Sequence, residues 1–374
     1  MMMFGISNSN YNFINSKPDS PIESSKHILS LYISFGDKME TKMVVEKADQ
    51  TVFEGNSGGY YVWSNSKVPL LSELKLGAGK LLLHPLAFAL PLYTDSNKIC
   101  FVLEGTITFG LVTPNCPEEK VLLIKKGDAV PISLGVVAWW FNGGETDAVI
   151  LILGDTIKAQ VPGPFKLFVA TGVQGLLAGF QTDFVSKTFG LDKKESENIV
   201  NSQQGALLVK LDHGIRFPQP SKDTKGKLYA NIEDPSGAVV VKGGGYVNFL
   251  LEEKLPMLSE VGLSAMFVKL EGNAMLAPSY VADGSVKISY VSKGRGRIKV
   301  VGSEGKPALE SKLEEGDLFI VPQFFAVSAI ADDCGIELFA VLTSSKPVFA
   351  QLAGNTSVWN ALSPVVLQVA LNVC

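Results

Sequence analysis

The sequence predicts a mostly β protein: two jelly-roll barrels in tandem, each with an appended α-helical arm. Three observations carry this. A strand, a glycine turn, a second strand and a Gly-Asp turn occur twice at one offset of 189 residues, at 99–105 with Gly127-Asp128 and at 288–294 with Gly316-Asp317. Around them lie many short β-rich runs punctuated by Gly, Pro, Asn and Asp, the pattern of an antiparallel sandwich or barrel. After each set the apolar period changes from two toward four, which marks helices.

The chain opens with an extension over 1–57 that is rich in Asn and Ser and expected to be disordered to about residue 38. Its best apolar run, 28–35, is short and interrupted by Ser30 and Ser34, so it does not read as a secretory leader, and Met39 offers a second start. No window holds the roughly 18 apolar residues that a membrane helix needs. On those grounds the expected location is the cytoplasm.

The first unit is expected over 58–221. Runs at 60–63, 80–83, 99–103, 107–112, 121–124, 129–132, 137–141 and 149–153 read as strands. Two helices trail them: 182–189, stopped by Gly190, and a second opened by Asp192-Lys193-Lys194-Glu195, a capping box. Residues 222–245 read as a linker, with Asp234-Pro235-Ser236-Gly237 and Gly243-Gly244-Gly245. The second unit follows over 246–374, and its tail repeats the arm: Ser363-Pro364 places an N-cap before a proline at the first helical position, and Val365, Val366, Val369 and Ala370 form an apolar stripe. A helix apolar on one face outside a barrel needs a cover, for which a neighbouring subunit is the expectation and packing within the chain the alternative.

Composition limits function. With 374 residues, 46% hydrophobic and 19% charged, the chain can bury two cores. A net charge of -4 gives no general attraction to nucleic acid or anionic membrane, and neither is an expected partner. Four cysteines, Cys100, Cys116, Cys334 and Cys374, lie far apart and read as reduced thiols. The three histidines, His27, His84 and His213, are too few and too scattered for a catalytic zinc or iron site, which takes two or three converging imidazoles. There is no Gly-x-Ser-x-Gly elbow, and Gly243-Gly244-Gly245 lacks the lysine and helix of a phosphate loop. Ser292-Lys293-Gly294-Arg295-Gly296-Arg297 concentrates positive charge at an expected hairpin and reads as a solvated face, with anion binding as the alternative.

Three stretches resemble one family in wording and order: 177–184 (LAGFQTDF), 316–327 (GDLFIVPQFFAV) and 351–358 (QLAGNTSV). With the doubled barrel they make the chain similar, from about Gly58 to its end, to the bicupins, and within them to the legumin-type (11S) seed globulins. The resemblance implies a nutrient-reservoir protein, not an enzyme, without a cofactor, that self-associates into a homotrimer through its helical arms. It also locates where cupin enzymes hold a metal. Counted from the repeat, the two histidine positions of the first unit fall on Pro91 and Tyr93, the glutamate on Lys98 and the last histidine on Ala138. In the second unit the region Ser279, Tyr280 to Ala282, with Lys287 and Val327, takes those places, with Asp283 nearby. None of these sets can bind a metal as the family does, so neither a metal nor a catalytic residue is expected.

Lys98 and Lys287 occupy equivalent positions. A lysine facing into a barrel is desolvated, which suits it to bind a carboxylate or act as a nucleophile; the alternative is an ammonium that snorkels to the mouth. Tyr93 and Tyr280 beside them complete a candidate small-ligand site, the competing reading being a small-molecule-binding bicupin. The chain departs from storage legumins in two respects. Its one Asn-Gly, Asn142-Gly143, lies inside the first barrel and not between the barrels, so the chain is expected to stay uncut, and it has only Arg216, Arg295 and Arg297, few for a nitrogen store.

Overall fold

The computed structural model describes residues 43–204, 207–303, 305–354 and 356–372. In the first unit two sheets face each other. One contains β2 (Gln50–Gly55), β3 (Gly58–Val62), β4 (Leu76–Leu83), β6 (Asn97–Glu104), β9 (Asp128–Ile132) and β11 (Ala148–Asp155). The other contains β5 (Ala87–Thr94), β7 (Thr106–Thr113), β8 (Cys116–Lys125), β10 (Val137–Phe141), β12 (Leu167–Val169) and β13 (Leu208–Lys210). The second unit repeats the plan with β16 (Gly245–Leu250), β17 (Ser264–Leu270), β18 (Met275–Val281), β20 (Pro307–Glu314), β21 (Leu318–Val321) and β23 (Phe349–Gln351). Here β19 (Lys287–Val301) and β22 (Ala326–Leu342) run on through both walls, so the unit forms one bent sheet.

The duplicated turns have one physical cause. Gly105 and Gly294 both adopt φ 81°, and Gly127 and Gly316 adopt φ 84° and 94°, backbone that only glycine enters without strain. A side chain at Gly294 would meet the Gly335 carbonyl oxygen at 2.2 Å. The amide of Gly127 donates to the Val102 carbonyl (2.9 Å) and that of Gly316 to the Val291 carbonyl (3.0 Å). Each following aspartate closes its turn: Asp128 accepts from the Lys125 amide (2.9 Å) and Asp317 from the Glu314 amide (2.8 Å). The basic stretch around Gly294 forms no hairpin loop; Gly294 is a bulge inside β19.

The units join through apolar faces. Phe101 stacks on Phe339 with centroids 4.1 Å apart, and Trp63 meets Tyr290 edge-on at 5.9 Å. Two short strands cross between them. β1 (Val45–Glu46), ahead of the first unit, pairs with β21 of the second, and β14 (Ala230–Asn231), ahead of the second, pairs with β9 of the first. Each unit thus covers the free edge of the other. β15 (Val239–Val241) ends the large sheet beside β16.

Among the described residues the helices are α1 (Leu70–Glu73), α2 (Leu176–Phe189), α3 (Lys193–Val200), α4 (Met257–Val261), α5 (Val358–Ala361) and α6 (Pro364–Leu371). α2 starts earlier than its periodicity suggests and kinks at Gln181 (φ 65°) before Gly190 caps it in the left-handed conformation. In α3 the Asp192 carboxylate accepts from the Glu195 amide (2.8 Å) and the Glu195 carboxylate from the Asp192 amide (3.0 Å). α6 has Pro364 at its first position, but Ser363 makes no side-chain cap.

The extension expected over 1–57 lies, up to residue 42, outside the described residues, as do Met39, His27 and Cys374. Its later part, 43–57, carries β1 and β2. The span 222–245 expected as a linker contains β14 and β15.

Candidate functional site

Cross-strand partners present their side chains on one face of a sheet, so register identifies what faces into each barrel. In the first unit one row runs Gly77, Gly154, Lys98, Ile132 across β4, β11, β6 and β9. The matching row of the second unit runs Ser264, Leu342, Lys287, Val321 across β17, β22, β19 and β21. The two lysines are structural equivalents.

Lys98 is 7% exposed, and burial lowers its pKa to about 8, with Cys100 and Asp95 acting the other way. Its ammonium donates to the Thr94 hydroxyl and, at 3.5 Å, to the Ser96 carbonyl. Among the described residues it forms no ion pair. The carboxylate of Asp95 is taken up by Ser96 Oγ and by the amides of Gln160 and Lys166. Around Lys98 lies a cavity of about 50 Å³ whose walls include Tyr60, Tyr93, Thr94, Cys100, Ala138 and Trp140. Tyr60 is 4% exposed, and its hydroxyl has no hydrogen-bond partner among the described residues. Burial raises its pKa and pushes the Cys100 thiol up to about 12. Both stay protonated at neutral pH.

Of the candidates in the first unit, Tyr93, Lys98 and Ala138 line this one cavity. Tyr93 stacks on Phe168 with centroids 5.0 Å apart. Pro91 is absent from the lining. A bulge in β5 sets Leu92 opposite Ala138 and Ala89 opposite Trp140, so a count from the repeat misses Leu92 by one position.

In the second unit Lys287 is 4% exposed, and burial alone lowers its pKa to about 8. Ser279 faces Val327 across β18 and β22, both buried. Tyr280 pairs instead with Ala350 of β23, and Ala282 is exposed. Asp283 accepts from Ser285. The structure therefore brings three of the four first-unit candidates, Tyr93, Lys98 and Ala138, to one cavity, beside Thr94, Tyr60 and Cys100, which sequence reasoning passed over. Their signal was alternation: Cys100 is two residues from Lys98 and so shares its face.

The positions of a family metal do not fit one. Leucine, tyrosine, lysine and alanine in one barrel, and serine, lysine and valine in the other, provide no imidazole or carboxylate, and a buried ammonium repels a cation. Among the described residues no three His, Cys, Asp or Glu side chains are grouped to hold a metal ion. His84 Nδ1 lies 2.8 Å from Asp147 at a sheet edge, and His213 is exposed. Cys100 is a buried free thiol, and Cys116 and Cys334 are exposed ones.

The family model described as "Cupin" matches residues 45–197 and 230–374. Cocosin 1 of Cocos nucifera is 26% identical over 350 residues, covering 78% of this chain and 74% of its own. The 13S globulin seed storage protein of Fagopyrum tataricum is 25% identical over 387 residues, covering 78% and 75%. The crystal structure of the coconut allergen cocosin superposes with a TM-score of 0.82 at 25% identity, covering 89% and 94%.

These relatives overturn the cytoplasmic location expected from the sequence. Seed storage globulins are normally deposited in protein storage vacuoles by the secretory route. The expectation rested on the composition of the first residues, which lie outside the described structure. Among the described residues no helix is long and apolar enough to cross a membrane.

Proposed function

The chain belongs to the cupin family, and on that premise we propose that it is a non-enzymatic nutrient-reservoir protein homologous to the 11S legumin-type seed globulins. The observation that carries the reading is similarity to storage globulins across both barrels. Quantitative proteomics of maturing and germinating seed tests it. Accumulation followed by depletion is the expected course; a low and constant level would overturn it.

We infer further that the chain assembles as a homotrimer through its arms. Phe180, Phe184 and Phe189 on α2, and Val365, Val369 and Leu371 on α6, are exposed, Phe184 by 61% and Val369 by 77%. Such surface is costly in water at about 25 cal/mol per Å². The barrels also differ outside. On the first, Phe217 stacks on Phe141 at 4.0 Å and packs on Phe88 and Trp139, which seals that wall. The same wall of the second is an open groove of about 570 Å³, with Met275, Val301 and Ile330 among its lining. A second copy's arm is the occupant we assign to it. Native mass spectrometry checks this: the wild type is expected as a trimer, and Phe184→Asp as a smaller species. A wild-type monomer would refute it.

A further inference from the structure

The interior of the first barrel is built like a binding site, whereas that of the second is built like a core. Beside Lys287 the row is filled by Leu342, with Ser264 beyond it. Beside Lys98 the same two positions are Gly154 and Gly77. The space over Gly77 is filled by Phe165, that over Gly79 by Tyr60 and that over Gly154 by the backbone of Asn97 and Lys98. The cavity of about 50 Å³ lies on the other side of the lysine, walled by Thr94, Ala138 and Trp140 among others. At about 10–15 Å³ for each water-sized occupant, it admits three to five non-hydrogen atoms.

Polar chemistry in this space is donor-rich. An ammonium has three hydrogens and no acceptor, and Thr94 and Ser96 take two. Tyr60, a buried residue, lines the same cavity, and its hydroxyl forms no hydrogen bond among the described residues. Neither the neutral thiol of Cys100 nor the apolar lining of Leu81, Leu92, Ile132, Val136 and Ile152 supplies a negative charge. A buried cation without a counter-ion is strongly disfavoured until an anion joins it. Leu92, Tyr93 and Leu167 are half-buried, so they form the open end through which a small solute enters.

We propose that the first barrel binds one small aliphatic carboxylate of the size of formate or acetate, its oxygens held by the Lys98 ammonium and the Tyr60 hydroxyl. Size sets the class. An engineered cavity known to hold benzene measures about 150 Å³, about three times this one, so aromatic acids are expected to be rejected here. The ligand role that the sequence distributed over Tyr93, Lys98, Tyr280 and Lys287 thereby contracts to one barrel: Tyr93 shapes its mouth, and Tyr280 and Lys287 have no part.

Titration with ¹³C-labelled acetate, followed by NMR on the full chain, tests the proposal. The wild type is expected to take up one acetate saturably, with formate competing and benzoate not. Lys98→Met weakens binding about tenfold or more, the loss of a charge-assisted hydrogen bond, and Tyr60→Phe weakens it several-fold. Lys287→Met leaves it unchanged. If Lys98→Met does not fold, Ala138→Ile serves in its place, because it fills the cavity while leaving both donors intact, and it too is expected to abolish uptake. No saturable acetate binding, binding that survives Lys98→Met or Ala138→Ile, equal loss in Lys287→Met, or benzoate binding as tightly as acetate would each overturn the proposal.

Discussion

The two barrels share a framework and differ in what they enclose. Both have a lysine at the same row of the same strand, buried on all sides. In the first, Gly154 and Gly77 continue the lysine's row, Phe165 packs over Gly77, and a cavity of about 50 Å³ adjoins the lysine; in the second, leucine and serine take the two row positions. Turn chemistry must stay fixed for the barrel to close, since Gly127 and Gly316 adopt positive φ and their aspartates hold the following backbone. Interior volume is under no such constraint.

The largest expected effect probes whether the barrels act separately at all. Phe339→Ala, at the stacked contact with Phe101, should cost about 3–5 kcal/mol and lower the denaturant midpoint of both units together. Two separate transitions, with only the second shifted, would show independent barrels. Leu342→Ala makes the second interior more like the first. It should destabilise by about 2–5 kcal/mol and open space beside Lys287, seen as a fall in the denaturation midpoint.

Charge sharpens the comparison further. Burial lowers both lysines from their ordinary 10.5 to about 8. Between those values the unfolded chain binds more protons than the folded one, so stability rises with pH across that window and is lowest below it. The cost near neutral pH is about 3 kcal/mol per lysine, at about 1.4 kcal/mol per pKa unit. Lys287→Met should therefore be more stable than wild type at pH 7, with the difference closing toward pH 10 in urea titrations; Lys98→Met should gain less, because it also leaves the Thr94 hydroxyl and the Ser96 carbonyl without their donor. Equal gains in the two variants would erase the distinction between them.

The smallest effect compares the arms. Asp192→Ala removes one side of a closed capping box and should cost about 1 kcal/mol, whereas Ser363→Ala, which removes no side-chain cap, should leave the melting temperature almost unchanged.

Much of this was readable from residues alone. The 189-residue offset, the Gly-Asp turns, the capping box and the pairing of Lys98 with Lys287 all follow from local rules that tertiary context did not override. β5 was not readable, because Pro91 within a run demotes it as a strand and the bulge shifts its register by one. That slip moved a cavity position from Leu92 to Pro91. Nor could Tyr60 be linked to Lys98, since the two meet only after β3, β4, β11 and β6 are laid side by side. The open wall of the second barrel depends on the path of residues 211–217 over the first, a long-range matter that periodicity does not report.

The crossed pairings of β1 with β21 and β14 with β9 make the two halves a clasp. Each lends a short ribbon that hides the unpaired amides and carbonyls along one margin of the other, the outer side of β21 and of β9, so those two margins are closed to a stranger's strand. A cut after Phe217 and before β14 would leave both fragments interleaved, each still holding a strand of the other's sheet.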